Sequence, residues 1–296
     1  MKRVLGILLL TLMATPAMAQ IVVDGAKDAG YGGALAVQTV ETQFGDNQSE
    51  WNAGYGRIAG GNLYLMLTGN LEANFNKLEI FIDSKAGGQS VFDSSGNDNA
   101  QRMDGLVFDP GFTADYHLIV RRGTDSGNPK VDVDFADLGA QTASGYFDVM
   151  ASSGLDGAGA TGTGVNASPI LIGYDNSNVA GIIGGTNAAN QTDALAVTTG
   201  LELGFSLADL DYAGGPINVM VGQNGGGHDY WSNQFLGGLP APQGNLGGDE
   251  LGGFTGEGAI DMTHFGGNQY FAVVPEPACL ALAGLAVAGL ALRRRK

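Results

Sequence analysis

The chain has one cysteine, three histidines, and no lysine or arginine between Lys130 and Arg293. Cys279 lies in the C-terminal tail, so a disulfide framework, thiol catalysis and cysteine-based zinc sites are excluded for the body of the protein. Six of the 14 Lys and Arg residues (Lys2, Arg3, Arg293, Arg294, Arg295 and Lys296) sit at the two ends, against 30 Asp and Glu in the whole chain. A surface so short of positive charge repels phosphate backbones, which argues against any nucleic-acid partner. Helix signals are also scarce. Ser206-Leu207-Ala208-Asp209 resembles a capping box, but Gly214-Gly215-Pro216 leaves room for only one turn after it. No H-E-x-x-H, G-x-S-x-G or P-loop motif is present, and His117, His228 and His264 are scattered with no adjacent nucleophile. A binding or structural protein is therefore expected, and not an enzyme; a glycan hydrolase whose carboxylates converge only in space is the less favoured alternative.

Glycine, in contrast, is abundant, with 50 residues, and short apolar runs are separated by Asn, Asp and Ser. This pattern predicts strands joined by tight turns. Period-two alternation marks strands at 77–83, 115–120, 130–135, 201–207, 217–221 and 269–274. In KLEIFID, Leu78, Ile80 and Ile82 share the core face, and Glu79, Phe81 and Asp83 are expected to face water. NLYLMLTG, residues 62–69, is more continuously apolar and reads as a central strand buried on both sides. The fold class expected is all-β: an antiparallel β-sandwich of jelly-roll or immunoglobulin-like kind. Residues 20–274 form this domain, with a Gly/Ala/Ser-rich excursion near 151–196; a division into two domains near 150–165 is the alternative.

Two ligand sites are candidates. Asp83, Asp93, Asn97, Asp98 and Asp104, with Asn99, Asp109 and Gly96 beside them, offer the oxygen chemistry that Ca²⁺ takes, and they equally suit a solvated Asx-turn loop. The spacing does not fit an EF-hand. In HDYWSNQF, Tyr230 and Trp231 sit among polar groups in an expected loop, and Trp51 has Tyr55 nearby; such aromatics stack on sugar rings or pin loops to a core.

The ends carry export information. Lys2 and Arg3, an apolar run from Val4 to Met13, and Ala17-Met18-Ala19 read as a signal peptide cut by signal peptidase after Ala19, so residues 1–19 are set apart from the fold. At the other end, Pro275-Glu276-Pro277, an apolar run from Ala278 to Leu292 and a basic cluster Arg293–Lys296 follow in strict order. Fifteen helical residues cover roughly 22 Å, which is marginal for a lasting anchor but sufficient for a stop-transfer segment, an inner-membrane intermediate. This tail, residues 275–296, resembles the PEP-CTERM sorting signal. The resemblance implies handling by an exosortase, which cleaves near Pro275-Glu276-Pro277 with Glu276 as the recognised acid, and delivery to the cell surface or outside, in bacteria that make extracellular polysaccharide and biofilm matrix. VDGAKDAGYGGA, LYLMLTGNL and KLEIFIDSKAGGQ resemble, more loosely, the start of family 9 carbohydrate-binding modules and the related DOMON group. That resemblance implies a sandwich, calcium near Asp83 and residues 93–109, and affinity for extracellular polysaccharide. In the haem-binding DOMON variant a Met and a His are axial ligands, for which Met66 and His117 are formally present, although Met66 reads more simply as core. A structural matrix protein without a discrete ligand is the alternative.

Overall fold

The computed structural model describes residues 20–94, 96–150 and 156–275. The expected signal peptide and the apolar tail from residue 276 onward lie outside the described residues. The rest forms an antiparallel β-sandwich. The first sheet has six strands in the order β1 (Ala36–Val37), β2 (Glu50–Ala59), β3 (Asn62–Asn70), β10 (Gly200–Ser206), β9 (Leu171–Asp175) and β8 (Asp156–Ala160). The second runs β12 (Trp231–Leu236), β11 (Ile217–Asn224), β4 (Lys77–Asp83), β5 (Tyr116–Asp125), β6 (Asn128–Asp137) and β7 (Thr142–Tyr146), with β13 (Tyr270–Val273) pairing β11 beside β12. The one α-helix among the described residues is α1 (Gln191–Ala196), capped by Asn190, whose side chain accepts from the Thr192 amide. The segment after Ser206 is a turn, closed by the Asp209 amide donating to the Ser206 carbonyl. The excursion after residue 151 supplies two strands of the first sheet, β8 and β9.

Alternating residues from the two sheets meet in the central core, among them Leu63, Leu65 and Leu67 of β3, Leu78, Ile80 and Ile82 of β4, and Val131, Val133 and Phe135 of β6. Where β2 faces β13, the approach is set by glycine. A Cβ on Gly54 would stand 3.0 Å from the Phe271 ring, and one on Gly56 would overlap Val273 outright. The sequence EWNAGYGRIA thus lacks apolar alternation because this part of β2 receives the partner's side chains instead of sending its own.

Both outer faces are covered too, which differs from the expectation that Glu79 and Phe81 face water. On the six-stranded sheet the N-terminal segment crosses β9 and β10, and the Glu202 carboxylate accepts from the Asp24 amide (2.9 Å), the Gly25 amide (3.1 Å) and the Tyr31 hydroxyl (2.7 Å). On the seven-stranded sheet the long loops around residues 89–115 and 228–265 bury a second apolar cluster containing Phe81, Phe92, Met103, Ile119, Trp231 and Met262. Period two shows only that the two faces of a strand differ; a second layer of chain can still bury the polar one.

Charged residues of that outer face are buried with it. Glu79 has no solvent exposure and lies between two imidazoles: His117 Nε2 is 2.8 Å from Oε2 and His228 Nδ1 is 2.6 Å from Oε1. The other nitrogen of His228 is 2.9 Å from the Asp98 carbonyl oxygen. Both neighbours of the His228 ring are acceptors, so the ring donates twice and is an imidazolium. Burial alone would raise the Glu79 pKa, but the His228 charge and the bonds from both histidines hold it at about 2. Burial likewise opposes the His228 charge, and the Glu79 carboxylate overrides it and lifts the pKa to about 9. Asp98 extends the network to Lys77 Nζ (2.6 Å) and Arg121 (3.1 Å), and Arg121 also binds Asp134. Left-handed backbone at Gly96, Asp98 and Asn99 turns the Asp98 carboxylate inward, so the network ties two outer loops to β4 and β5.

Gly56→Ala is expected to destabilise by about 1–3 kcal/mol through overpacking against β-branched Val273, read as a lower denaturation midpoint; an unchanged midpoint would show that the sheets separate freely there. Glu79→Gln, which leaves the His228 imidazolium buried beside a neutral amide, is expected to cost about 3–5 kcal/mol. In the wild type the His228 contribution is full below about pH 6.5 and is lost as pH rises through about 9. The Glu79 contribution is full above about pH 4.5 and is lost as pH falls through about 2. Chemical denaturation across pH should show both limbs in the wild type and lose them in Glu79→Gln.

Candidate functional site

Trp231 and Trp51 do not stack on a ligand. Trp231 opens strand β12, where a loop was expected, and it has no exposure; its indole N–H donates to the Gly258 carbonyl at 2.9 Å and its ring packs on Phe235. Trp51 on β2 is equally buried and donates to Gln223 Oε1 at 3.0 Å. Both polar handles are satisfied internally, and neither ring has a face open to solvent. The expectation for these two is corrected by their burial, Trp51 in the core between the sheets and Trp231 in the layer under the outer loops.

Tyr230 is placed differently. It is half-buried, and its ring runs nearly parallel to Phe44 (centroids 6.1 Å apart, planes 16° apart) and to Phe254 (6.5 Å, 26°). Phe254 is 71% exposed and Leu251, on the same loop, 88% exposed. Three loops therefore contribute one ring each to a surface array. Phe44 and Phe254 stand in TQFGD and GGFTG, isolated between polar residues and glycines, and no periodicity in the sequence marks them.

The array is held from below. His228 is anchored on Glu79, and the Tyr230 amide two residues on donates to Asn224 Oδ1 at 3.0 Å. The intervening Asp229 pairs with Arg102, and the Tyr230 hydroxyl donates to the Gly252 carbonyl at 3.1 Å, tying in the loop that bears Phe254. Beside Phe44, the Gln43 side-chain oxygen accepts from the Asn245 amide at 2.7 Å, while Asn233 Nδ2 donates to the Glu41 and Gln243 carbonyls. A rigid sheet thus presents aromatic rings and carboxamides on anchored loops at one end of the sandwich.

The residues considered for calcium do not converge. Asp83 ends β4 and accepts from Asn218 Nδ2 (2.9 Å), whereas Asp98 sits over Lys77 at the opposite end of that strand, paired with basic groups. Asp104 accepts from the Ser94 amide, Asp93 receives Gln89 and Gln141 at its carbonyl, and Asn97 lies in the 3-10 segment with Asp98. Asp109 accepts from the Gln269 amide. Among the described residues no group of three or more His, Cys, Asp or Glu side chains is arranged to hold a metal ion. Met66 and His117 lie on the outer faces of different sheets and cannot ligate one iron.

A separate feature occupies the other end of β11. Val273, the last residue of β13, is paired with Ile217 and only 1% exposed, and Pro275-Glu276-Pro277 begins two residues later. Residues 273–296 match the family model of the PEP-CTERM protein-sorting motif. No match to the chain is found among curated proteins or among solved structures.

Proposed function

We propose that this exported, exosortase-sorted surface protein is a non-catalytic polysaccharide-binding component of the cell surface or extracellular matrix, with the Phe44–Tyr230–Phe254 array as its docking site. The observation that carries the reading is the exposure of Phe254 and Leu251 beside two near-parallel rings, on loops fixed to a rigid sandwich. Aromatic faces take the C–H surfaces of pyranose rings, and neighbouring carboxamides such as those of Gln43 and Asn245 suit sugar hydroxyls. The acidic balance of the chain selects for neutral polysaccharide over uronic-acid polymers. Sorting itself is supported by the motif at 273–296, which implies passage through an exosortase and delivery to the surface or the medium.

Binding to a panel of neutral and acidic polysaccharides, followed by affinity electrophoresis, tests the docking site. Phe254→Ala and Tyr230→Ala are each expected to weaken binding by about tenfold, in line with about 0.5–1.5 kcal/mol per stacked aromatic contact. Phe254→Ala leaves the melting temperature near that of wild type, whereas Trp231→Ala lowers stability by about 3–5 kcal/mol because it empties a buried site. Polysaccharide affinity indifferent to both ring deletions would sink the proposal and leave a structural matrix protein. Mass spectrometry of the surface-delivered form is expected to find a C-terminus near Pro275–Pro277 without the apolar run; an intact Lys296 terminus would count against processing.

A further inference from the structure

Strand β11 connects the two functional features of the molecule. At Ile217 it pairs with Val273, where the chain leaves the fold for the sorting motif; at Asn224 it pairs with Trp231, next to Tyr230 of the ring array. The strand is eight residues long, so its ends stand seven steps apart, roughly 23 Å at about 3.3 Å per residue. The apolar run starts at Ala278, five residues after Val273. Five residues reach at most about 18 Å even when fully extended, so an inserted tail keeps the β13 end of the sandwich within that distance of the bilayer. The turns around this exit carry little bulk: Cβ atoms added to Gly60, Gly61, Gly214 or Gly215 would meet nothing within 4 Å. A compact end next to a short tether can sit flush on a flat surface.

From this geometry we infer that, before its tail is removed, the protein stands end-on at the membrane, with the Gly60–Gly61 and Gly214–Gly215 turns against the lipid headgroups and the Phe44–Tyr230–Phe254 array facing away. The inference rests on the reading of residues 273–296 as a membrane-inserted sorting signal. It goes further in assigning the lipid-facing surface and in placing the polysaccharide site outward while the protein is still held, so that polymer is captured before release.

The experiment uses the full chain with Cys279→Ser as background and one reporter cysteine at a time: Ala213→Cys beside the exit, Ser126→Cys at the tip of the β5–β6 hairpin, or Leu251→Cys beside the array. All three native positions are exposed. Each variant carries a fluorescent label and is reconstituted into phosphatidylethanolamine–phosphatidylglycerol vesicles containing headgroup-linked acceptor. Energy transfer several-fold greater from Ala213→Cys than from Ser126→Cys or Leu251→Cys is expected. Equal transfer from the three, or the greatest transfer from Leu251→Cys, overturns the end-on arrangement while leaving the inserted tail standing. Protein that does not float with the vesicles overturns the inserted tail and the arrangement together.

Discussion

A carboxylate shut away from water between two imidazoles governs the architecture above the seven-stranded sheet. Glu79 is tolerable there only because His228 carries a full charge and His117 adds a second hydrogen bond. Once that pair forms, the loop after Asn224 has a fixed seat, Trp231 enters the apolar layer, and Tyr230 is left at the surface. The ring array is thus a by-product of burying a charge beneath it. The loops that complete the layer are rich in glycine and low in regular structure, so paired polar groups supply the order that repeating secondary structure would otherwise provide.

Charge is also distributed unevenly along the chain, and the network shows how the fold accommodates this. Lys77 and Arg121, both nearly buried, come from the first half, which holds every Lys and Arg of the sandwich. The second half has neither residue to offer between 131 and 292. Its cationic contribution to the buried acids is His228, whose protonation depends on the carboxylate it neutralises. Not every buried acid is treated this way. Glu50 accepts from amide groups of Asn47, Asn52 and Asn178, and burial, helped by the neighbouring Asp46 carboxylate, pushes its pKa up to about 7. At Glu79 the charge and hydrogen bonds of the histidines outweigh burial, whereas at Glu50 the amide donors do not.

Much of the sandwich was legible in the sequence because its central strands alternate. KLEIFID is β4 to the residue, and NLYLMLTG lies in β3, central and buried on both faces. What was not legible follows from the same rule. β2 alternates glycine with larger residues to admit Phe271 and Val273, β8 is DGAGA, and β12 begins WSNQ, polar residues that hydrogen-bond inside the structure. Apolar periodicity is silent in all three. The sorting motif was readable because its parts are contiguous. The ring array was not, since positions 44, 230 and 254 become neighbours only through three loops, and the two tryptophans that stood out by size are core. The calcium expectation came from a dense run of Asp and Asn whose members turn to different partners, Asp98 to Lys77 and Arg121 and Asp104 to the Ser94 amide, while Asp83 stands at the far end of β4.

The last strand, β13, occupies a position with a consequence for the order of folding. A chain exported from its N-terminus delivers residues 270–273 after every other strand, yet these residues supply the partner for Ile217–Met220 on the outer side of β11. Until they arrive, β11 has half of one edge open and Gly54 and Gly56 face an empty slot. The segment that fills the slot runs straight into the sorting motif. Completion of the fold and arrival of the sorting motif are therefore separated by only a handful of residues of chain, so the sheet can close only as the motif follows it out.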